Sequence, residues 1–72
     1  VEAAERGGTA CAILNGANEA AVGLFLRDEI GFNDIPRRVR RAMDDVAVTE
    51  NPTLEDILAA DRAARDSVYA GA

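Results

Sequence analysis

Apart from Glu19, every residue from Ala10 to Leu26 is uncharged. On a helical period, small and apolar side chains occupy both sides of this stretch. A helix that is small or apolar all round is usually buried all round. The pattern therefore predicts a central helix covered by other elements, and it leaves Asn15, Asn18 and Glu19 as polar positions that need an explanation.

Two residues compete for the start of this central helix. Thr9 and Asn15 both have side chains that cap helices, the first giving the longer helix, and the sequence does not decide between them. A glycine and an asparagine in the segment 30–33 predict that the helix ends near Glu29. We expect Phe32, between those two residues, to pack back onto the core.

A second helix is predicted to open at Asp34. A capping carboxylate followed by Ile35-Pro36 is a common helix start, since proline is tolerated in the first turn. Apolar residues then recur at four-, three- and four-residue steps, which predicts one packed face and one charged face. These residues are Ile35, Val39, Ala42, Met43 and Val46.

The third predicted helix runs from Leu54 to about Tyr69. Thr53 and Asp56 have the spacing of a capping box, with aspartate in place of the preferred glutamate. Helix formers in Val1–Arg6, followed by two glycines, suggest the last turns of an earlier helix. The predicted fold class is all-α: residues 1–72 form a single domain, a small bundle of three helices plus the tail of a fourth.

Composition limits the binding partners and the cellular location that we expect for this domain. A net charge of −5 disfavours nonspecific binding to nucleic acid or to an anionic membrane, and no apolar run is long enough to span a bilayer. Cys11 is the sole cysteine, so no internal disulfide can form and a cytoplasmic location is expected. The chain starts without methionine and in mid-pattern, which suggests a fragment of a larger protein.

Residues for independent catalysis are missing from the sequence. There is no histidine, and Cys11 has no evident activating partner. The neighbouring acids Asp44-Asp45 and Glu55-Asp56 lie on predicted helices, where consecutive side chains point about 100° apart and cannot converge on one ion. We therefore predict no catalytic, cofactor-binding or metal-binding residue in this chain.

A basic cluster formed by Arg37, Arg38, Arg40 and Arg41 has two main readings. The simpler is a solvated helix face in which arginines pair with acids four residues later. However, cations in the first turns oppose the helix dipole. The solvated face remains the preferred reading, contact with an acidic partner surface or a neighbouring domain comes second, and nucleic acid is the least favoured partner.

Asp61 sits in the middle of the apolar stripe of the third helix, and a buried unpaired carboxylate would be costly. It can pair with Arg65 one turn later. Alternatively, it faces the central helix and accepts hydrogen bonds from Asn15, Asn18 or the backbone at the start of that helix. The apolar stripe consists of Leu54, Ile57, Leu58, Ala64 and Val68.

Three motifs, taken in order, resemble the C-terminal region of the 1-deoxy-D-xylulose 5-phosphate reductoisomerase family, and the resemblance covers nearly the whole chain. One departure is Gly16, where the family usually has alanine, and we expect it to loosen the helix start. The motifs are LNGANE at Leu14–Glu19, the Ile-x-Phe-x-Asp-Ile turn at Ile30–Ile35, and LEDIL with Asp-x-x-Ala-Arg at Leu54–Leu58 and Asp61–Arg65.

The resemblance implies an enzyme of non-mevalonate isoprenoid biosynthesis that rearranges and reduces its substrate with NADPH and a divalent cation, Mg²⁺ or Mn²⁺. The family enzyme is a homodimer with a dinucleotide-binding domain, a catalytic and metal-binding domain, and a C-terminal helical bundle. This chain resembles the bundle alone. The family's catalytic residues have no matching positions here, so the expected role is to brace the catalytic domain.

Two functional hypotheses follow. In the first, a patch of Asn15, Asn18, Glu19 and Phe32, held from below by Asp61, contacts the catalytic domain of the parent enzyme. In the second, the chain is a free-standing helical interaction module that binds an acidic partner through the Arg37–Arg41 face.

Overall fold

A computed structural model describes residues 8–70 and contains three helices in that range: α1 (Ala10–Leu26), α2 (Asp34–Asp45) and α3 (Leu54–Ala70). The described residues contain no strand, so the predicted all-α class is confirmed. The helix tail predicted for residues 1–6 lies outside the described range.

The start of α1 is joined to the connection between α2 and α3. Thr9 precedes the helix, so the longer of the two predicted helices is correct, but its side chain makes no cap. The Thr9 Oγ1 accepts a hydrogen bond from Thr49 N at 2.8 Å, and Thr9 N donates to the Thr49 carbonyl at 3.0 Å. Gly8 has a φ of +56°, and a side chain there would collide with the same carbonyl. Glycine is therefore needed where these segments meet.

The end of α1 comes earlier than predicted. The helix stops at Leu26, and Asp28 takes a φ of +61°. Glu29 N donates to the Leu24 carbonyl at 2.9 Å and Asp28 N to the Phe25 carbonyl at 3.0 Å, the two bonds of a Schellman motif. The prediction missed this end because aspartate occupies the left-handed position where glycine is the usual signal.

The starts of α2 and α3 and the end of α3 lie within one residue of the predictions. Asp34 is the first residue of α2 rather than the residue before it, and its carboxylate accepts a hydrogen bond from Gly31 N at 2.9 Å. The capping box of α3 is confirmed in both directions. Thr53 N donates to Asp56 Oδ2 at 3.0 Å, and Asp56 N donates to Thr53 Oγ1 at 3.1 Å.

Small side chains make up most of the core, which allows the helix axes to approach closely. Alanines from all three helices are buried with three larger residues from α1 and α3. Helices α1 and α3 run parallel, since Gly16 lies opposite Asp61 and Glu19 lies opposite Arg65 further along both helices. The buried core residues are Ile13, Ala17, Ala20, Ala21, Leu24, Ala42, Ala60, Ala64 and Val68.

Two predictions about burial are wrong for the chain by itself. Helix α1 is buried on one side only, because α2 and α3 leave its other side exposed. Phe32 does not enter the core: it is 69% exposed and packs edge-to-face against Phe25, with 5.6 Å between the ring centroids. The start of α3 is also open, with Leu54 71% exposed.

Candidate interdomain surface

An ion cluster joins α1 to α3. The Arg65 guanidinium lies 3.0 Å from Asp61 Oδ2 through Nε, and 3.4 Å from Glu19 Oε1 through NH2. The hydrogen bond from Arg65 to Asp61, and secondarily the Glu19 carboxylate, raise the pKa of Arg65. The predicted Asp61–Arg65 pair is therefore present, and Glu19, one of the unexplained polar residues, pairs with the same arginine.

Helices α1 and α3 approach each other closely at Gly16. A Cβ atom at Gly16 would lie 2.5 Å from Asp61 Oδ1 and 2.9 Å from the Asp61 carbonyl oxygen. The expectation that this glycine loosens the helix start misses its main effect, because the absent side chain lets the two backbones come together. Asp61 is thus held between the Gly16 backbone and Arg65.

The proposed polar network between Asp61 and the asparagines does not form within the described residues. Asn15 and Asn18 are exposed, and neither makes a side-chain hydrogen bond to another described residue. Together with Cys11 and Leu14 they line an open groove on α1. The structure thus separates the polar positions into two groups, with Glu19 and Asp61 in the ion cluster and both asparagines facing outward.

We define the outer face of α1 as five exposed residues that recur at steps of three and four and so lie on one side of the helix. None of them is charged. Leu26 is 74% exposed and Val22 is 36% exposed. Half-buried Phe25 borders this face, and its ring packs against the ring of Phe32. The five residues are Cys11, Asn15, Asn18, Val22 and Leu26.

The four arginines of α2 do not form one surface. Arg38 is only 9% exposed, and its NH1 donates to the Val68 carbonyl at 2.8 Å in the last turn of α3. A cation near a helix C-terminus interacts favourably with the dipole, and this contact explains why a basic residue stands there. Arg38 Nε has no hydrogen-bond partner among the described residues. Its assignment to a solvated or partner-binding face is therefore wrong.

The other three arginines of α2 are exposed and have separate surroundings. Arg37 NH2 lies 2.8 Å from Asp34 Oδ1, and this hydrogen bond, followed by the one from Gly31 N, lowers the pKa of the Asp34 carboxyl. Arg41 lies 3.7 Å from Asp45, as the sequence suggested. Arg40 has no ion pair within residues 8–70.

No group of three or more His, Cys, Asp or Glu residues in the range 8–70 is placed to hold a metal ion. Cys11 is an exposed free cysteine. None of the three helices described is both long and apolar enough to cross a bilayer.

Comparison with known proteins agrees with the motifs. A sequence profile described as the DXP reductoisomerase C-terminal domain matches residues 1–67. Proteins named 1-deoxy-D-xylulose 5-phosphate reductoisomerase match at 56% identity in Synechococcus sp. (strain JA-2-3B'a(2-13)), over 88% of this chain, and at 49% in Leptospira interrogans, over 93%. No solved structure matches the chain.

The matched region is a small part of those relatives, 16% of the length of the first and 17% of the second. About half of the residues are identical to those of the relatives over nearly all of this chain. The three-helix bundle and the three motifs in order agree with that match. The chain belongs to the DXP reductoisomerase C-terminal domain family.

Proposed function

We propose that this chain is the structural domain of a complete 1-deoxy-D-xylulose 5-phosphate reductoisomerase and that it braces that enzyme's catalytic domain. The observation that carries the proposal is family membership across the chain, combined with a match to less than a fifth of each relative's length. In this proposal the catalytic residues, the NADPH site and the site for Mg²⁺ or Mn²⁺ lie in the rest of the polypeptide, and the complete enzyme is a homodimer.

A brace contributes to catalysis by keeping groups on other segments in their productive positions, because small errors in position cost large factors in rate. The chain is suited to this role. Its core helices approach closely at Gly16, and α1 is fixed at its start by the Thr9–Thr49 hydrogen bonds and in the middle by the ion cluster. These contacts attach α1 to α3 and to the connection between α2 and α3.

The proposed contact patch consists of Asn15, Asn18, Glu19 and Phe32, with Asp61 supporting Glu19 through Arg65. Asn15, Asn18 and Phe32 are exposed, so they are available to a neighbouring domain. Glu19 lies at the α3 edge of the same side, 56% exposed in its side chain. This arrangement supports a contact in which the asparagines hydrogen-bond to the neighbour.

The activity is tested by following NADPH oxidation with 1-deoxy-D-xylulose 5-phosphate in the complete protein, with Mg²⁺ or Mn²⁺ present. We expect turnover by the complete protein and none by the 72-residue chain. Absence of turnover by a folded, metal-supplied complete protein would refute the proposed activity. Turnover by the chain alone would refute its purely structural role.

The patch is tested by charge reversal. Glu19→Lys in the complete protein should lower stability or kcat, because it places a cation beside Arg65 and at the edge of the contact. Asp44→Lys, at an exposed position in the last turn of α2, is the control and should lower neither, since a cation there is compatible with the helix dipole. Unchanged kinetics together with unchanged stability for Glu19→Lys would remove Glu19 from the contact.

A further inference from the structure

The outer face of α1 (Cys11, Asn15, Asn18, Val22 and Leu26) extends along most of the helix. From Cys11 to Leu26 it covers about 22 Å, at roughly 1.5 Å of rise per residue. All of its residues are exposed and uncharged, in a chain where 29% of residues are charged. A continuous uncharged strip of this length is unusual on the solvent-facing side of a helix, where charged residues normally predominate.

Its composition matches the centre of a protein interface. Charged residues are depleted and aromatic residues enriched at interface cores, and a polar rim surrounds them. Here Leu26 is 74% and Phe32 is 69% exposed, and the Phe25–Phe32 pair widens the apolar area beside the strip. The ion cluster of Glu19, Arg65 and Asp61 borders the strip on the α3 side as a charged rim.

The two asparagines add hydrogen-bonding capacity in the middle of the strip. Each side-chain amide can donate two hydrogen bonds and accept two, and neither uses this capacity on another described residue. The surface that fits is therefore apolar, uncharged at its centre, and equipped with polar groups opposite Asn15 and Asn18.

Resting on the proposed function, we propose that the outer face of α1 is the buried centre of the contact with the catalytic domain of the same polypeptide, and that the exposed start of α3 lies outside this contact. The matched region is 16–17% of the length of the relatives named above, so most of each relative lies outside it. A domain tethered in the same chain acts at an effective concentration of about millimolar. At comparable affinity, that neighbour occupies the strip in preference to a second copy of the bundle at lower concentration.

Two leucines provide a matched test. Leu26 ends α1 on the proposed face and is 74% exposed, and Leu54 begins α3 outside it and is 71% exposed. Leu26→Cys and Leu54→Cys are made in the complete protein, and the rate of alkylation by N-ethylmaleimide is measured at each site by peptide mass spectrometry. Native Cys11, at the other end of the strip, is followed in the same samples.

We expect the thiol introduced by Leu26→Cys to be alkylated at least tenfold more slowly than the thiol introduced by Leu54→Cys, and Cys11 to be similarly slow in both proteins. Protection should be unchanged on dilution, since the covering domain is in the same chain. Equal labelling rates at the two introduced sites would overturn the proposal. Protection that disappears on dilution would overturn it too, because the cover would then be a second molecule.

The labelling result is independent of the proposed function. Turnover of 1-deoxy-D-xylulose 5-phosphate by the unsubstituted complete protein tests the activity, whereas labelling tests which surface is covered. An active enzyme with equally labelled positions 26 and 54 would retain the activity and reject the surface. An inactive enzyme with selective protection in Leu26→Cys would reject the activity and retain the surface.

Discussion

Replacing Gly16 and Gly23 by alanine should change stability in opposite directions, although both glycines lie in the interior of α1. Alanine is favoured over glycine inside a helix by about 0.5–1 kcal/mol. A Cβ atom at Gly23 would meet nothing within 4 Å. Gly23→Ala should therefore gain about that amount.

At Gly16 the same gain is opposed by a collision with α3. The Asp61 Oδ1, 2.5 Å from the added Cβ, belongs to a side chain that Arg65 holds at 3.0 Å. The Asp61 carbonyl, at 2.9 Å, belongs to the backbone and can be relieved only by moving the helices apart. Overpacking of this kind costs about 1–3 kcal/mol. Against the propensity gain of about 0.5–1 kcal/mol, the expected result is a net loss for Gly16→Ala.

The comparison is made by thermal unfolding followed by far-ultraviolet circular dichroism of the 72-residue chain, or by calorimetry of the complete protein. In a domain of about 60–100 residues, about 1 kcal/mol shifts the Tm by about 4–8 °C. In the chain, we expect Gly23→Ala to raise the Tm and Gly16→Ala to lower it, by several degrees each. Gly16→Ala that is as stable as the unsubstituted chain would refute the close-approach argument.

A double substitution separates the two parts of the collision. In an Asp61→Ala background the side-chain oxygen is gone, while the backbone carbonyl of residue 61 remains. Gly16→Ala should then cost less than it does in the unsubstituted chain, and the difference measures the side-chain part as a coupling energy. Equal costs in the two backgrounds would assign the whole effect to the backbone contact.

Three further predictions concern charged residues. Arg38→Gln should cost about 1.5–3 kcal/mol, the range for a lost hydrogen bond to a charged group, whereas Arg40→Gln should stay within about 0.5 kcal/mol in urea unfolding; equal costs would contradict the buried role of Arg38. The folded-state pKa of Asp34 is lowered from 3.8, so its contribution to stability is present above that pH and is lost as pH falls through the folded pKa. Asp34→Asn should therefore be less stable than the unsubstituted chain at neutral pH, and the gap should close in acid; a gap that persists there would refute the assignment. Asp61→Ala should lower the Tm more than Asp44→Ala, by an amount that corresponds to about 0.2–1 kcal/mol, and equal melting temperatures would show that Asp61 acts as a surface residue.

Local signals were enough to place all three described helices. The capping box at Thr53 and the proline in the first turn of α2 act within one turn of backbone, so their geometry is readable from neighbouring residues. The end of α1 was misplaced because Asp28 adopts a left-handed conformation without the glycine that usually marks it. The family motifs are also local in sequence, so they point to the family without knowledge of the fold.

The sequence alone does not predict which distant segments come into contact. In the sequence, nothing distinguishes Arg38 from its three arginine neighbours. It is buried and donates to the Val68 carbonyl because the fold packs the last turn of α3 against it. Gly16 looked like a weak point in a helix, and only the position of Asp61 showed why a side chain does not fit.

The outer side of α1 gives the clearest division between the two sources of information. Its sequence determined that both sides of the helix avoid charge, because periodicity and composition are properties of the chain alone. Which side faces α2 and α3, and which side remains open, depended on how three helices pack around small residues. The tertiary structure decided that, because burial is set by the distance between elements and not by the order of residues within one.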